Sequence, residues 1–201
     1  MVGSMNHSLT IAGAILLSLL LGGFLTSRLS ASYETTEYTV ADRDGAFEIR
    51  DYPELTLVST PMKTRGAGGS FMKLFGFISG RNDRSEKISM TTPVFMTGTE
   101  SGTMSFVLPK AVAAKGAPSP SATDVTLSKN PPTRYAAYRF SGSSKPGPSE
   151  AAAKKLRDWA DARHLPLTGN PLFAYYNPPW TPWFMRRNEV LIRLAPAGSN
   201  H

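Results

Sequence analysis

The sequence predicts an α+β domain: one curved, mainly antiparallel sheet or open barrel with two helices packed against it. Three observations predict it. Short stretches of alternating apolar and polar residues recur between positions 47 and 194, punctuated by 16 prolines and 17 glycines, as expected of strands joined by turns. Two stretches only, 71–78 and 150–164, read as amphipathic helices. The elements also occur twice in the same order, β-β-α-β-β, a faint internal duplication whose halves would share one sheet. A hydrophobic fraction of 41% is enough to fill a core between sheet and helices.

In the first half, 47–50 and 55–60 alternate and read as paired strands around a turn at 51–53. After a glycine-containing loop at 66–69, Ser70 is placed to cap a helix. Phe71, Leu74, Phe75 and Ile78 then share one face of that helix, and Gly80 ends it. Strands at 87–96 and 103–108 complete the half. In the first of these, Ile88, Met90, Val94 and Met96 fall on one side by period two. The Ala-, Pro- and Ser-rich segment 110–123 reads as a connection, not as a boundary between independent domains. In the second half, 124–128 and 134–140 are strands and 145–148 is a turn. Ser149 is placed to cap the helix 150–164, whose acidic first turn suits the dipole and whose Leu156, Trp159 and Ala160 form the inner face. Strands at 173–176 and 189–194 close the chain.

Ahead of this domain lies an uncharged apolar run, 9–25, about long enough to cross a bilayer core. The reading divides the chain into 1–32, a signal-anchor or signal peptide; 33–196, the folded domain; and 197–201, a tail. An uncleaved anchor is favoured over a cleaved signal. The start carries only the amino terminus and His7 where a signal carries Lys or Arg, and Arg28-Leu29 is a poor approach to Ser30-Ala31-Ser32. The domain is expected on the extracytoplasmic, periplasmic side, with a cleaved signal and a soluble periplasmic domain as the alternative.

Composition removes several functions. With no cysteine there is no disulfide, thiolate metal site, cysteine nucleophile or lipidated cysteine anchor. The net charge of +7 admits an anionic partner, but lysines and arginines are scattered rather than clustered with aromatics, so nucleic acid is not expected. His164 is the sole internal histidine of the domain and no G-x-S-x-G elbow occurs, which argues against nucleophilic catalysis with a histidine base. Glu48, Asp51, Glu54 and Asp83 form no recognisable carboxylate pair. The expectation is a binding protein, not an enzyme.

The sharpest signals are three motifs in order: Leu74-Phe75 through Gly80-x-Asn82; Lys87-Ile88-x-Met90-Thr91-x-Pro93-Val94; and Tyr176-x-Pro178-Pro179 followed by Arg186-Arg187-Asn188-Glu189-Val190. With the opening Phe47-Glu48-Ile49-Arg50-Asp51-Tyr52 and the turn Phe140-Ser141-Gly142, they resemble the SOUL/haem-binding protein family over about 38–194. The resemblance implies a distorted, mainly antiparallel β-barrel flanked by two helices and built as a duplication. It also implies non-covalent binding of haem or another tetrapyrrole in an apolar groove.

Such a ligand needs a flat apolar slot for the ring and cations for its propionates. Phe71, Met72, Leu74, Phe75 and Ile78 on the first helix and Met90 and Met96 on the following strand offer the slot, although the same spacing also describes core packing. Lys63, Arg65, Lys73, Arg81 and Arg84 offer the charge, and Arg81 is the one expected at the site; some relatives carry a lysine or arginine where this chain has Gly68 and Gly76. No axial ligand stands out among His7, His164, His201, Met72, Met90 and the tyrosines. A ring held by burial suits a membrane-anchored carrier or buffer. The duplicated architecture also resembles GyrI-like domains, so a general module for small apolar ligands is the alternative. Arg186-Arg187-Asn188-Glu189 reads as an anion site or a turn into the last strand, the turn being favoured. The aromatic segment 180–184 reads as a lid, a membrane contact or a packed loop.

Overall fold

Alternation and turn chemistry set the strands, and the computed structural model shows how they assemble; it describes residues 33–62, 67–98, 102–143, 146–178 and 180–195. The apolar run 9–25 and the tail lie outside these residues. Among the described residues no helix is long and apolar enough to cross a membrane.

The strands are β1 (Glu34–Thr35), β2 (Thr39–Asp44), β3 (Phe47–Tyr52), β4 (Leu55–Met62), β5 (Thr91–Thr92), β6 (Val94–Thr97), β7 (Gly102–Val107), β8 (Thr126–Asn130), β9 (Thr133–Phe140), β10 (Leu167–Tyr175) and β11 (Asn188–Leu194). Three helices accompany them: α1 (Ala67–Ile78), the short α2 (Lys110–Lys115) and α3 (Pro146–Ala162). The duplication is present as β3-β4-α1-β6-β7 followed by β8-β9-α3-β10-β11.

Nine strands form one sheet in the order β2-β3-β9-β11-β10-β6-β7-β4-β8, while β1 and β5 pair separately in parallel. The order is symmetric about the β10–β6 pair, where Phe173 lies opposite Met96. Each half keeps three strands together and lends its first to the other: β3 runs antiparallel to β9, and β8 runs antiparallel to β4. The hairpin expected around 51–53 is therefore not formed, since β3 pairs with β2 and β9 instead.

The sheet also remains open, against the expectation of a barrel. β3 passes to β4 through Pro53-Glu54, and β8 passes to β9 through Pro131-Pro132. Proline has no N–H to donate, so the chain at both crossings cannot extend a ladder. The outer strand β2 is exposed along its whole length and carries Asp42, Arg43 and Asp44, charges that discourage further pairing.

Other boundaries shift for local reasons. Both helices begin ahead of their supposed caps, so Ser70 and Ser149 lie inside the first turns and are buried. Ser70 donates to the Pro61 carbonyl at 3.1 Å, and Ser149 shares a 3.2 Å hydrogen bond with the Tyr175 hydroxyl; each ties a helix start to the sheet. Gly80 does end α1: with φ of 108° it lets Arg81 N–H reach the Gly76 carbonyl at 2.9 Å. Part of the connection 110–123 is helical as α2, and the strand expected over 87–96 is confined to β5 and β6, which flank Pro93.

Period two divides the sheet into two faces. On one, α1 covers Val58, Met96, Met104 and Phe106 with Leu74, Phe77 and Ile78, and α3 covers Ala136, Phe173, Val190 and Ile192 with Ala152, Ala153 and Leu156. Trp159 anchors α3 to the sheet edge, stacking on Phe47 at 5.1 Å and donating to Asp44 Oδ2 at 2.9 Å. The opposite, helix-free face packs Tyr52, Leu55, Phe95, Tyr135 and Leu191 against one another.

Candidate functional site

The outward side of α1 is the first candidate. Helical spacing sends Leu74, Phe77 and Ile78 inward and leaves Met72 60% and Phe75 43% exposed, large apolar groups of the kind that mark a contact surface. Phe71 is half-buried; its ring lies 6.1 Å from that of Phe75 and 5.3 Å from that of Phe106, linking surface to core. Gly68 and Gly69 are exposed with open space where a Cβ would stand, so the start of the helix is low in relief. Gly76 is covered by Arg81, whose Cδ would sit 3.1 Å from a Cβ there. The missing side chain thus lets Arg81 lie along the last turn of α1.

The seven residues expected at the ligand fall into two groups. Met72, Phe75 and Arg81 are exposed, and Phe71 joins them from below. Ile78 and Met96 are enclosed in the core and present nothing to a ligand, so for these two the spacing recorded packing; Met90 is half-buried against the same cluster. The cations separate as well. Lys63 and Arg65 lie outside the described residues, Lys73 pairs with Asp124, and Arg84 donates to the Gly116 carbonyl. Arg81 has no ion-pair partner among the described residues. His164 sits exposed just past α3 with φ of 54°.

The helix-free face carries a second candidate, a cleft of about 590 Å³, within the range typical of small-molecule sites. Leu55, Leu57, Phe95, Leu172 and Leu191 give it apolar walls, and Thr97, Thr103, Asn170 and Arg193 bring polar groups. Asn170 belongs to an irregularity in β10, between Thr168 and Leu172, where the register with β11 shifts; such a bulge turns backbone and side chains out of the ladder. Arg193 is exposed and has no side-chain partner among the described residues.

Tyr52 also lines this cleft. It is 3% exposed, and among the described residues its hydroxyl, which lies near Arg50, has no well-aligned hydrogen-bond partner, a condition that is uncommon in buried polar groups. Burial pushes its ionisation well above the ordinary phenol value, only partly opposed by the charge of Arg50, so the group stands as a protonated donor. Its ring is held by Tyr38 at 5.1 Å and edge-on by Tyr135 at 5.6 Å.

Beyond Tyr52 the same face closes over a charged network. Glu189 is fully buried and receives Arg50 at 2.5 and 3.2 Å, Arg187 at 2.8 and 3.0 Å and the Tyr176 hydroxyl at 2.9 Å. Arg50 also meets Glu48 at 2.6 Å and lies 4.2 Å over the Tyr38 ring; Arg187 lies 4.0 Å over Tyr176. Burial alone would raise the Glu189 pKa, but hydrogen bonds and charge from Arg50, then Arg187, outweigh it and hold the carboxyl below its ordinary value. With both oxygens occupied, Glu189 is a structural anion and not a free base. Asn188 donates to the Gly142 carbonyl at 2.9 Å and Asn177 accepts the Arg187 N–H at 2.6 Å, so the turn reading of 186–189 holds.

Sequence reasoning missed Tyr52 and Arg193. The alternation Glu48, Arg50, Tyr52 did place three polar side chains on one face of β3, a usable signal; that they share a face with Arg193 depends on strand order. The 180–185 segment contains a 3-10 turn, Trp183–Met185. Its Trp180, Trp183, Phe184 and Met185 are between 61% and 82% exposed, which excludes the packed-loop reading.

Fold and faces together define an open-sheet α+β module with ligand-sized apolar surfaces and no assembled catalytic constellation among the described residues. A family model described as SOUL heme-binding protein matches residues 33–193, and the chain belongs to that family. Among solved structures, the EcmrR C-terminal domain is similar at a TM-score of 0.52 and 14% identity, covering 79% of this chain and 98% of that one. A hydrolase from Listeria innocua is similar at 0.54 and 10%, covering 77% and 94%, and an uncharacterized conserved protein from the same organism at 0.51 and 12%, covering 84% and 96%. These likenesses establish the shared fold. No curated protein matches the chain.

Proposed function

We propose that this protein binds haem or a related tetrapyrrole against the outward side of α1 and acts as a carrier or buffer, without chemistry of its own. The observation that carries the reading, beside family membership, is the exposure of Met72 and Phe75 over a low glycine start, with Arg81, which has no ion-pair partner among the described residues, lying against Gly76 just past the end of α1. A flat ring would stack along Met72 and Phe75, and Arg81 would take a propionate. Met72 offers a thioether to the iron; bound there, haem would supply its own redox and ligand chemistry, and the chain would supply burial and charge.

The apolar run 9–25 would tether the protein, and the exposed aromatic loop 180–185 would rest in the membrane interface, where Trp is favoured.

The test is a haem titration of the full chain in mild detergent, followed by absorbance, with Phe75→Glu alongside. A shifted Soret band that saturates near one equivalent and is lost in Phe75→Glu supports the reading; Phe75 is exposed, so the variant retains its core. Linear change, alike in both proteins, marks adventitious haem. It would leave the alternative of a general module for small apolar ligands, favoured by the cleft on the helix-free face.

A further inference from the structure

We propose that the cleft on the helix-free face is a second ligand site, separate from the α1 face, and that it takes an amphipathic monocarboxylate. Two observations carry this. The cleft has a small molecule's volume, about 590 Å³, with leucine walls that call for an apolar body. The one cation lining it, Arg193, has no side-chain partner among the described residues, and no carboxylate lines the cleft to compete for it.

Geometry relates these groups. Arg193 and Arg50 flank Tyr135 on neighbouring strands, each opposite it in register. Arg50 is consumed by Glu189 and Glu48, whereas Arg193 is exposed at the open end. A carboxylate at the mouth would meet Arg193 with Thr168 or Asn170 beside it, and the chain would run inward along Leu191, Leu172 and Leu57. A neutral apolar molecule would leave Arg193 unused. A cationic one would be repelled by it, with no anionic side chain in the cleft to compensate.

The test is calorimetric titration of the full chain in non-ionic detergent below its micellar concentration, using dodecanoate, dodecanol and dodecyltrimethylammonium as probes. Dodecanoate is expected to saturate near one equivalent and to bind at least about tenfold more tightly than dodecanol, the order of one charge-assisted hydrogen bond. Arg193→Gln should erase that preference while leaving dodecanol binding unchanged. Leu57→Glu, at a half-buried position lining the cleft, should abolish both. Phe75→Glu and prior loading with haem should affect neither, so this proposal and the α1 reading fail separately. Equal affinity for dodecanoate and dodecanol, or an Arg193→Gln variant that keeps the preference, would overturn the carboxylate assignment. Absence of saturable binding, or competition between haem and dodecanoate, would overturn the second site.

Discussion

Glu189 shows how much of this molecule turns on single charges. It lies on β11 and its main partner, Arg50, on β3, with β9 between them and Ala137 of that strand leaving room beneath the pair. Replacing the carboxylate would leave two guanidinium groups facing a neutral amide inside the fold. Glu189→Gln is therefore expected to cost about 3–5 kcal/mol, read as a lower urea midpoint at unchanged m. The sign with pH follows from the lowered pKa. The contribution is complete above the ordinary value of 4.5 and is lost as pH falls through the lower folded value. Wild type should thus lose urea stability on acidification below about pH 4, and the Gln variant should lose less. The sequence placed Glu189 two positions after Arg187, at the turn into β11. It could not show Arg50, because 139 positions separate the two and only strand order brings them together.

At the scale of elements, periodicity located both main helices, and what it misjudged were their starts. Ser70 and Ser149 have the chemistry of N-caps, but their hydroxyls serve the Pro61 carbonyl and Tyr175 of the sheet, and a tertiary partner outcompetes the local one. The same limit applies to Ile78 and Met96, whose spacing fits a ligand groove and a core equally well; burial decided for the core. The loop at 180–185 is the opposite case. Its four large apolar side chains are exposed, so removing them should cost the fold little. Trp183→Ser combined with Phe184→Ser is expected to leave the melting temperature within a few degrees and to reduce sedimentation of the protein with anionic phospholipid vesicles. Undiminished sedimentation would assign any membrane attachment to other parts of the chain.

At the scale of the molecule, the exchange of β3 and β8 means that neither half owns a complete sheet. The pairs β3·β9 and β4·β8 and the central β10·β6 pair all join the halves, and so does the Arg50–Glu189 contact. Unfolding is expected as one transition, with tryptophan fluorescence and far-ultraviolet dichroism coincident and calorimetric and van't Hoff enthalpies equal; two resolved transitions would mean independent halves. The sequence by itself determined the α+β class, the repeated element order and the family, because periodicity and turn chemistry are local properties of the chain. Tertiary structure alone decided that first strands are exchanged, that the sheet stays open with β2 and β8 at its edges, and that Tyr52 and Arg193 share a cleft. Those facts rest on pairing between strands distant in sequence, which no local pattern encodes.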